Sequence, residues 1–397
     1  MYKLVGRLQH YAWGGYEFIP HLLGIDNTDH RPCAEYWLGA HPAAPSKIEI
    51  NNTTLVNLDK MVEQDPVNVL GKDVFSHFGE LPYLLKVLDV KDMLSIQVHP
   101  NKAEAAKGFE HENALGIPLD APYRNYKDRN HKPEMMLALS EFWLLHGFRP
   151  KNELKRILEE VESFSSFIPI FEKEGYRGLY THVMEMPADE VSRILKPLIS
   201  RIRAEFLAGR LTKSDPSYWA AMASARGNHS NPDRGIFSIF FFNLLNLHPG
   251  QAIFQGAGLP HAYLEGQNIE LMSNSDNVLR GGLTTKHVDV AELLKLVRFE
   301  ATDPAVMNGT KQAMETIYSC PVPDFILSRI ELKEKDEYLH HANSPEILFL
   351  KLGAVQLSGK NGPLNCHKGE AVFVSAGEDY SIHAMEEAHI FKAAVPG

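Results

Sequence analysis

A chain of 397 residues with a formal charge of −10 is too long for one simple core, and too acidic for a general nucleic-acid binder, which needs a basic surface against the phosphate backbone. Its 44% hydrophobic and 23% charged residues match an ordinary globular protein and exclude disordered and collagen-like classes. Three scattered cysteines, Cys33, Cys320 and Cys366, exclude a disulfide framework. With no signal-like N-terminus and no bilayer-length apolar run, the expectation is a cytoplasmic protein with neither nucleic acid nor membrane as partner.

Residues 1–150 alternate short apolar segments with Gly, Pro, Asn and Asp. Residues 46–51, 83–90 and 94–100 read as strands, and 135–139 and 141–148 continue that character. Residues 54–64 and 102–112 read as helical connections. From 151 the pattern changes. Asn152 is a candidate cap for a helix with apolar Leu154, Ile157, Leu158 and Val161, and 188–199 and 217–225 follow at helical spacing. The polar stretch 226–234 reads as a loop. Strand character returns over 236–320 and again over 321–397, where 347–352, 371–375 and 389–394 are the candidates. The expected fold is mainly β with a helical insertion. Residues 1–150 and 236–320 form a first β unit, 151–235 the insertion, and 321–397 a second β unit. Jelly rolls suit so many short antiparallel strands.

Three segments concentrate polar chemistry. In Leu94-Ser-Ile-Gln-Val-His-Pro, alternation puts Ser95, Gln97 and His99 on one face and Ile96 and Val98 on the other. A strand lining a pocket needs that pattern, and a half-exposed surface strand shares it. In Asn130-His-Lys-Pro-Glu-Met, Pro133 disfavours helix at Lys132, so an extended chain sends Lys132 and Glu134 to one side. A surface turn with an incidental ion pair reads the same way. The third segment, 259–286, holds His261, Tyr263, Glu270, Asp276, Arg280 and Lys286, more functional groups than a structural loop needs. Gln97, His99, Glu134 and His261 together offer two imidazole nitrogens and two oxygens, a set suited to zinc. A neutral glutamine ligand leaves more positive charge on the ion and favours Lewis-acid behaviour. Spacing alone does not select this set, and manganese or cobalt would also fit it.

At these residues the chain closely resembles the type I phosphomannose isomerases. The likeness runs through Gln9-His-Tyr-Ala-Trp-Gly-Gly, Ala34-Glu-Tyr-Trp-Leu-Gly-Ala-His-Pro, Leu94-Ser-Ile-Gln-Val-His-Pro, Tyr126-Lys-Asp-Arg-Asn-His-Lys-Pro-Glu-Met, Pro260-His-Ala-Tyr-Leu and Ser273-Asn-Ser-Asp-Asn-Val-Leu-Arg. It implies a cupin-type catalytic domain, a helical domain and a C-terminal cupin-like domain. It also implies zinc held by Gln97, His99, Glu134 and His261. Lys132, Glu270, Arg280 and Lys286 would line the active site, with Ser95, Trp13, Tyr263 and Asp276 nearby. Gly281 stands where the family often has Ala, and Thr285 where Pro is usual. The implied reaction interconverts mannose 6-phosphate and fructose 6-phosphate through a cis-enediol, so the expected partner is a small sugar phosphate, bound by a monomer.

That reaction needs an electrophile, a base and a phosphate anchor. Lys132 is a candidate base, since a nearby cation and partial burial disfavour an ammonium. Glu270 is its rival and would suit a pairing with Arg280. His131 would assist ring opening, although strict alternation turns it away from Lys132. Arg280 and Lys286 would share the enediolate and the phosphate, and the residues alone do not divide these tasks. The competing reading is a non-catalytic metal-containing sugar-binding cupin, which Lys132, Glu270 and Arg280 count against. An oxygenase or hydrolase on the same fold would carry more histidine at the metal.

Overall fold

The longest strand, His261–Ser273, organises the first β region. Its first residues pair with Phe142–Phe148 and with Gln97. Its later residues lie between Tyr83–Val90 and Glu134–Ala138. The exchange of partners falls at a slip in the ladder between Tyr263 and Glu265. Gly266 follows at φ 129°, where a Cβ would lie 2.6 Å from the Glu141 carbonyl oxygen, so only glycine fits the bend. One strand thereby presents His261 at one end and Glu270 towards the other. The computed structural model describes residues 1–50, 54–226 and 231–397.

The strand Tyr83–Val90 is buried at all eight positions because it lies between Glu35–Gly39 and His261–Ser273. Its apolar side chains Tyr83, Leu85 and Val87 join a core with Leu38, Ile269 and Phe349. Alternation therefore sends Leu84, Lys86 and Leu88 to the opposite face.

The described residues between 151 and 241 are mainly helical: Lys151–Glu160, Ile168–Glu185, Ala188–Leu207, Pro216–Arg226 and Gly235–Phe241. They close around Phe164, Phe167, Trp219, Phe237 and Phe241. Each such ring contributes about 1.5–3 kcal/mol on burial. The same core takes in Ile96, Val98 and Leu279, so the helices back the short strands that carry Gln97 and Arg280. The C-terminal strands form a nine-stranded and a four-stranded sheet among the described residues. The larger sheet includes Tyr2–Val5, which pairs with Ala371–Val374 on one edge and Lys47–Ile50 on the other. A continuous ladder thus joins the first residues to the last strands.

Among the described residues strand and helix are nearly balanced, at 33% and 30%. The helix exceeds the expected insertion because residues 1–150 add Phe18–Leu23, Leu58–Gln64, Pro66–Leu70, Lys72–Phe78 and Lys102–Ala114. Most expected strands appear within a residue or two. Residues 54–64 differ: Thr54–Asn57 pairs with Lys47–Ile50, and helix begins only at Leu58. Thr54 and Val56 are β-branched and suit the hairpin. Asn152 is not a cap, because Pro150 precedes a helix that already begins at Lys151. Residues 94–100 keep a ladder only at Gln97–Val98. Residue 51 of one expected strand and 227–230 of the expected loop lie outside the described residues. No helix among the described residues is long and apolar enough to cross a membrane.

Candidate active site

Gln97 lies in register with His261 on one side and with Arg280 on the other. His99 follows two residues on. Glu134 opens its strand opposite Gln255 and Met272. These three stretches bring one ligand atom each from His99, Glu134 and His261 within 4.8 Å of one another, and all three residues are buried. His99 Nε2 stands 3.4 Å from Glu134 Oε1, and His261 Nε2 stands 3.3 Å from Glu134 Oε2.

The far ring nitrogens set the protonation. His99 Nδ1 donates to Asn277 O at 2.9 Å and His261 Nδ1 to Leu259 O at 3.0 Å. A carbonyl only accepts, so both Nδ1 atoms carry hydrogen, and a neutral ring then presents a lone pair at Nε2. Burial pushes the His99 pKa down to about 4, so its ring is neutral at pH 7. Its Nε2 is buried without a hydrogen-bond partner, facing a carboxylate oxygen. Lone pairs converging on an anion repel, and a divalent cation turns the same set into a ligand sphere. The backbone carbonyls on Nδ1 are the outer partners that orient metal-binding imidazoles. Burial opposes the Glu134 charge, but the Lys132 ammonium overcomes it and holds this carboxyl well below the usual range. His99, Glu134 and His261 therefore fit a zinc ion, and Gln97 lies in register with His261 beside them.

Lys132 Nζ reaches Glu134 Oε1 at 2.9 Å, at the edge of the cluster. A cavity of about 580 Å³ opens at Gln97, the register partner of His261, and is also lined by Trp13, Ser95, Arg280 and Lys286. Burial lowers the Arg280 pKa. Lys286 is lowered by burial first and then by Arg280 and Lys127. Neither cation makes an ion pair among the described residues, and Arg280 disfavours the Lys286 charge in a way that a bound anion would relieve.

Four expected residues are engaged differently. Glu270 does not pair with Arg280: Lys86 Nζ donates to its Oε2 at 3.0 Å and Tyr263 Oη to its Oε1 at 2.9 Å. Tyr263 is accordingly buried against Glu270. His131 bonds Asp324 Oδ1 through Nε2 at 2.8 Å, which ties its ring to the segment before the strand Ile326–Leu332. Asp276 sits in a neighbouring depression, 3.6 Å from His41 Nε2, with its backbone N–H on Asp128.

Sequence reasoning missed Lys86. Its ammonium is buried between Glu270 and Glu35, 3.5 Å from the latter, and lies 5.0 Å from the Trp37 ring centre. A lysine in the middle of an apolar strand was the available signal. Tyr11, stacked on Trp13 at 5.9 Å, also lines the cavity, and nothing in its spacing marks it.

The profile of the phosphomannose isomerase type I catalytic domain matches residues 1–151. Mannose-6-phosphate isomerase of Escherichia coli (strain K12) is 38% identical over 384 residues, covering 95% of each chain. The human enzyme of the same name is 32% identical and covers 97% of this chain and 96% of its own. A crystal structure of mannose 6-phosphate isomerase from Salmonella typhimurium, bound to its substrate fructose 6-phosphate and zinc, superposes with a TM-score of 0.89 at 35% identity over 100% of both chains. With that likeness running from end to end, the chain belongs to the type I phosphomannose isomerase family.

Proposed function

We propose that this protein is a zinc-dependent isomerase that interconverts mannose 6-phosphate and fructose 6-phosphate. The observation that carries the reading is the buried His99 Nε2 lone pair, unpartnered and aimed at Glu134 beside Lys132. Gln97, His99, Glu134 and His261 are the ligands. When bound, zinc polarises the sugar oxygens at C1 and C2 and acidifies the adjacent carbon.

Lys132, at the edge of the cluster, acts as the base. It takes the proton from C2 of the open-chain aldose, and the C–H electron pair forms the C1–C2 double bond of the enediolate. The resulting ammonium returns the proton to C1, while one hydroxyl proton moves from O2 to O1. Atoms and charge balance without a redox partner. Glu270 is the weaker base candidate because Lys86 and Tyr263 occupy both its oxygens. Arg280, in register with the ligand Gln97, steadies the enediolate. Lys286, at the cavity rim, anchors the phosphate, and Trp13 and Ser95 form the wall. His131 acts through Asp324 on the loop that bears Lys132 and does not touch substrate. Asp276 supports the rim from outside.

The fold reading that accompanies this is a pair of cupin-like jelly rolls flanking the helical block. Every ligand falls in 1–150 and 236–320, and 321–397 forms the second roll. The free thiols Cys33, Cys320 and Cys366 accord with a reducing cytoplasm. A monomer is expected, and light scattering at twice the chain mass would overturn that. The sugar-binding alternative has no use for a lysine held at the metal cluster.

The test is turnover of mannose 6-phosphate, with fructose 6-phosphate as product, in protein stripped by chelator and then reloaded. Activity should vanish on stripping and return with one zinc per chain. Full activity in the stripped protein, or none in the reloaded protein, ends the proposal.

A further inference from the structure

Asp233 lies between the last two helices of the helical block, two residues before Gly235–Phe241, and belongs neither to the metal cluster nor to the pair of cations. Its half-buried carboxylate reaches across to the loop that leaves Arg280. Oδ1 accepts from Gly235 N at 2.7 Å and from Leu283 N at 2.9 Å, and Oδ2 accepts from Thr284 N at 3.0 Å. Leu283 has φ 55°, in the left-handed region that a leucine rarely adopts, so this turn needs an outside hold. Thr284 Oγ1 in turn accepts from Lys286 N at 3.0 Å. Order passes from Asp233 through Thr284 to Lys286. The approach is possible because two glycines meet backbone to backbone: a Cβ on Gly282 would lie 2.6 Å from Gly235 Cα.

Arg280 is held by other means. It pairs with Gln97 in the ladder, Gly281 N donates to Ile96 O at 2.9 Å, and Ile96 N donates to Gly282 O at 3.0 Å. Strand pairing therefore fixes the loop as far as Gly282, and Asp233 fixes it from Leu283 onward. The two cations of the cavity owe their positions to different parts of the fold.

We infer that Asp233 is a positioning residue for the phosphate end of the substrate: it holds Lys286, and not Arg280, where the phosphate arrives. The inference rests on the reading of Lys286 as phosphate anchor. A bare carboxylate near that anchor would repel the ligand. Three N–H donors absorb its charge, and what remains is geometry.

The experiment uses the full-length zinc enzyme and compares wild type, Lys286→Ala, Asp233→Asn and the double variant. Asparagine keeps the shape of aspartate, but its NH2 group must face at least one of the three backbone N–H groups. Turnover of mannose 6-phosphate, inhibition by inorganic phosphate, zinc content and melting temperature are measured. Lys286→Ala should raise KM about tenfold and weaken phosphate inhibition in step. Asp233→Asn should reproduce most of that rise with kcat within about twofold and zinc unchanged, and the double variant should be no worse than Lys286→Ala. If Lys286→Ala alters neither KM nor phosphate inhibition, the anchor reading falls, and this inference with it. If Lys286→Ala does and Asp233→Asn does not, the anchor stands and the role of Asp233 is overturned. Additive effects in the double variant, or a fall in kcat or zinc content with Asp233→Asn, also overturn it. Should Asp233→Asn fail to fold, Thr284→Val, which removes only the second link, must raise KM in its place, and an unchanged KM there refutes the inference.

Discussion

Among the described residues, two clusters combine histidine, carboxylate, tyrosine and lysine in buried or half-buried positions. In the C-terminal region, His340 Nε2 meets Glu346 Oε1 at 2.9 Å and Tyr380 Oη donates to Glu346 Oε2 at 2.7 Å. Tyr338 Oη donates to Glu315 Oε2 at 2.8 Å, and Lys392 Nζ pairs with Glu315 Oε1 at 2.9 Å. Every carboxylate oxygen there has a partner, and the network closes on itself. The His99–Glu134–His261 cluster has similar ingredients but leaves His99 Nε2 without a partner. An unpaired buried polar group costs about 1–3 kcal/mol. The comparison teaches that composition does not mark a site. What marks it is a deficit that a ligand removes, kept where the surrounding fold can sustain it.

Removing a member of each cluster should therefore have opposite readouts. Glu134→Ala has the largest effect. Zinc content should fall to background and turnover by more than about 10⁴-fold, since ion and base alignment go together. Retained zinc at one per chain would break the comparison at its centre. Lys132→Ala comes next: kcat should fall about 10²–10⁴-fold with zinc retained, which separates proton transfer from metal binding. In the closed network, Glu346→Ala strands the His340 and Tyr380 donors and should lower stability by about 2–4 kcal/mol in denaturant melts, with kcat within about twofold at 25 °C. A loss of activity larger than the loss of folded protein would show that the second cluster is coupled to the first.

Acid separates the two regions more finely. His99 in the metal-free protein is held down by burial to about 4, so the unfolded chain binds a proton that the folded chain refuses. That support is complete above the unfolded value near 6.5 and is lost as pH falls towards 4. Burial works against the Glu315 charge, but Lys392 and hydrogen bonds from Ser328 and Tyr338 prevail and lower its pKa. Its support is complete above the ordinary carboxylate value near 4.5 and is lost only below it. In metal-free protein, amide exchange should thus quicken around His99 and His261 before it quickens in Glu346–Leu352 and Ala388–Ala394. Simultaneous loss would mean that the two regions open as one unit.

Much of this was legible in the sequence because strands announce themselves by alternation and helices by their longer period. Tyr83–Val90 appears with the expected ends. Gln97 and His99 do share a neighbourhood, although the ladder under them is only two residues long. The failures have physical reasons. Lys86 went unnoticed because both faces of its strand are buried, so alternation gives no contrast between inside and outside. Glu270 was matched to the nearer cation in sequence, whereas the sheet aligns it with Lys86. His131 lies next to Lys132 in sequence, yet consecutive residues of an extended chain face apart, and Asp324 claims its ring. Asp233 lies in a stretch that reads as loop, and its three donors come from backbone that no side-chain pattern reveals.

The ladder between Tyr2–Val5 and Ala371–Val374 bears on how the protein is born. Lys47–Ile50 can cover one edge of that first strand early in synthesis. The other edge has no partner until residues 371–374 leave the ribosome, a wait on the order of tens of seconds at about 5–20 residues per second. Through that interval the nascent chain carries an unpaired strand edge, the kind of surface to which a chaperone or an aggregating neighbour adds a strand.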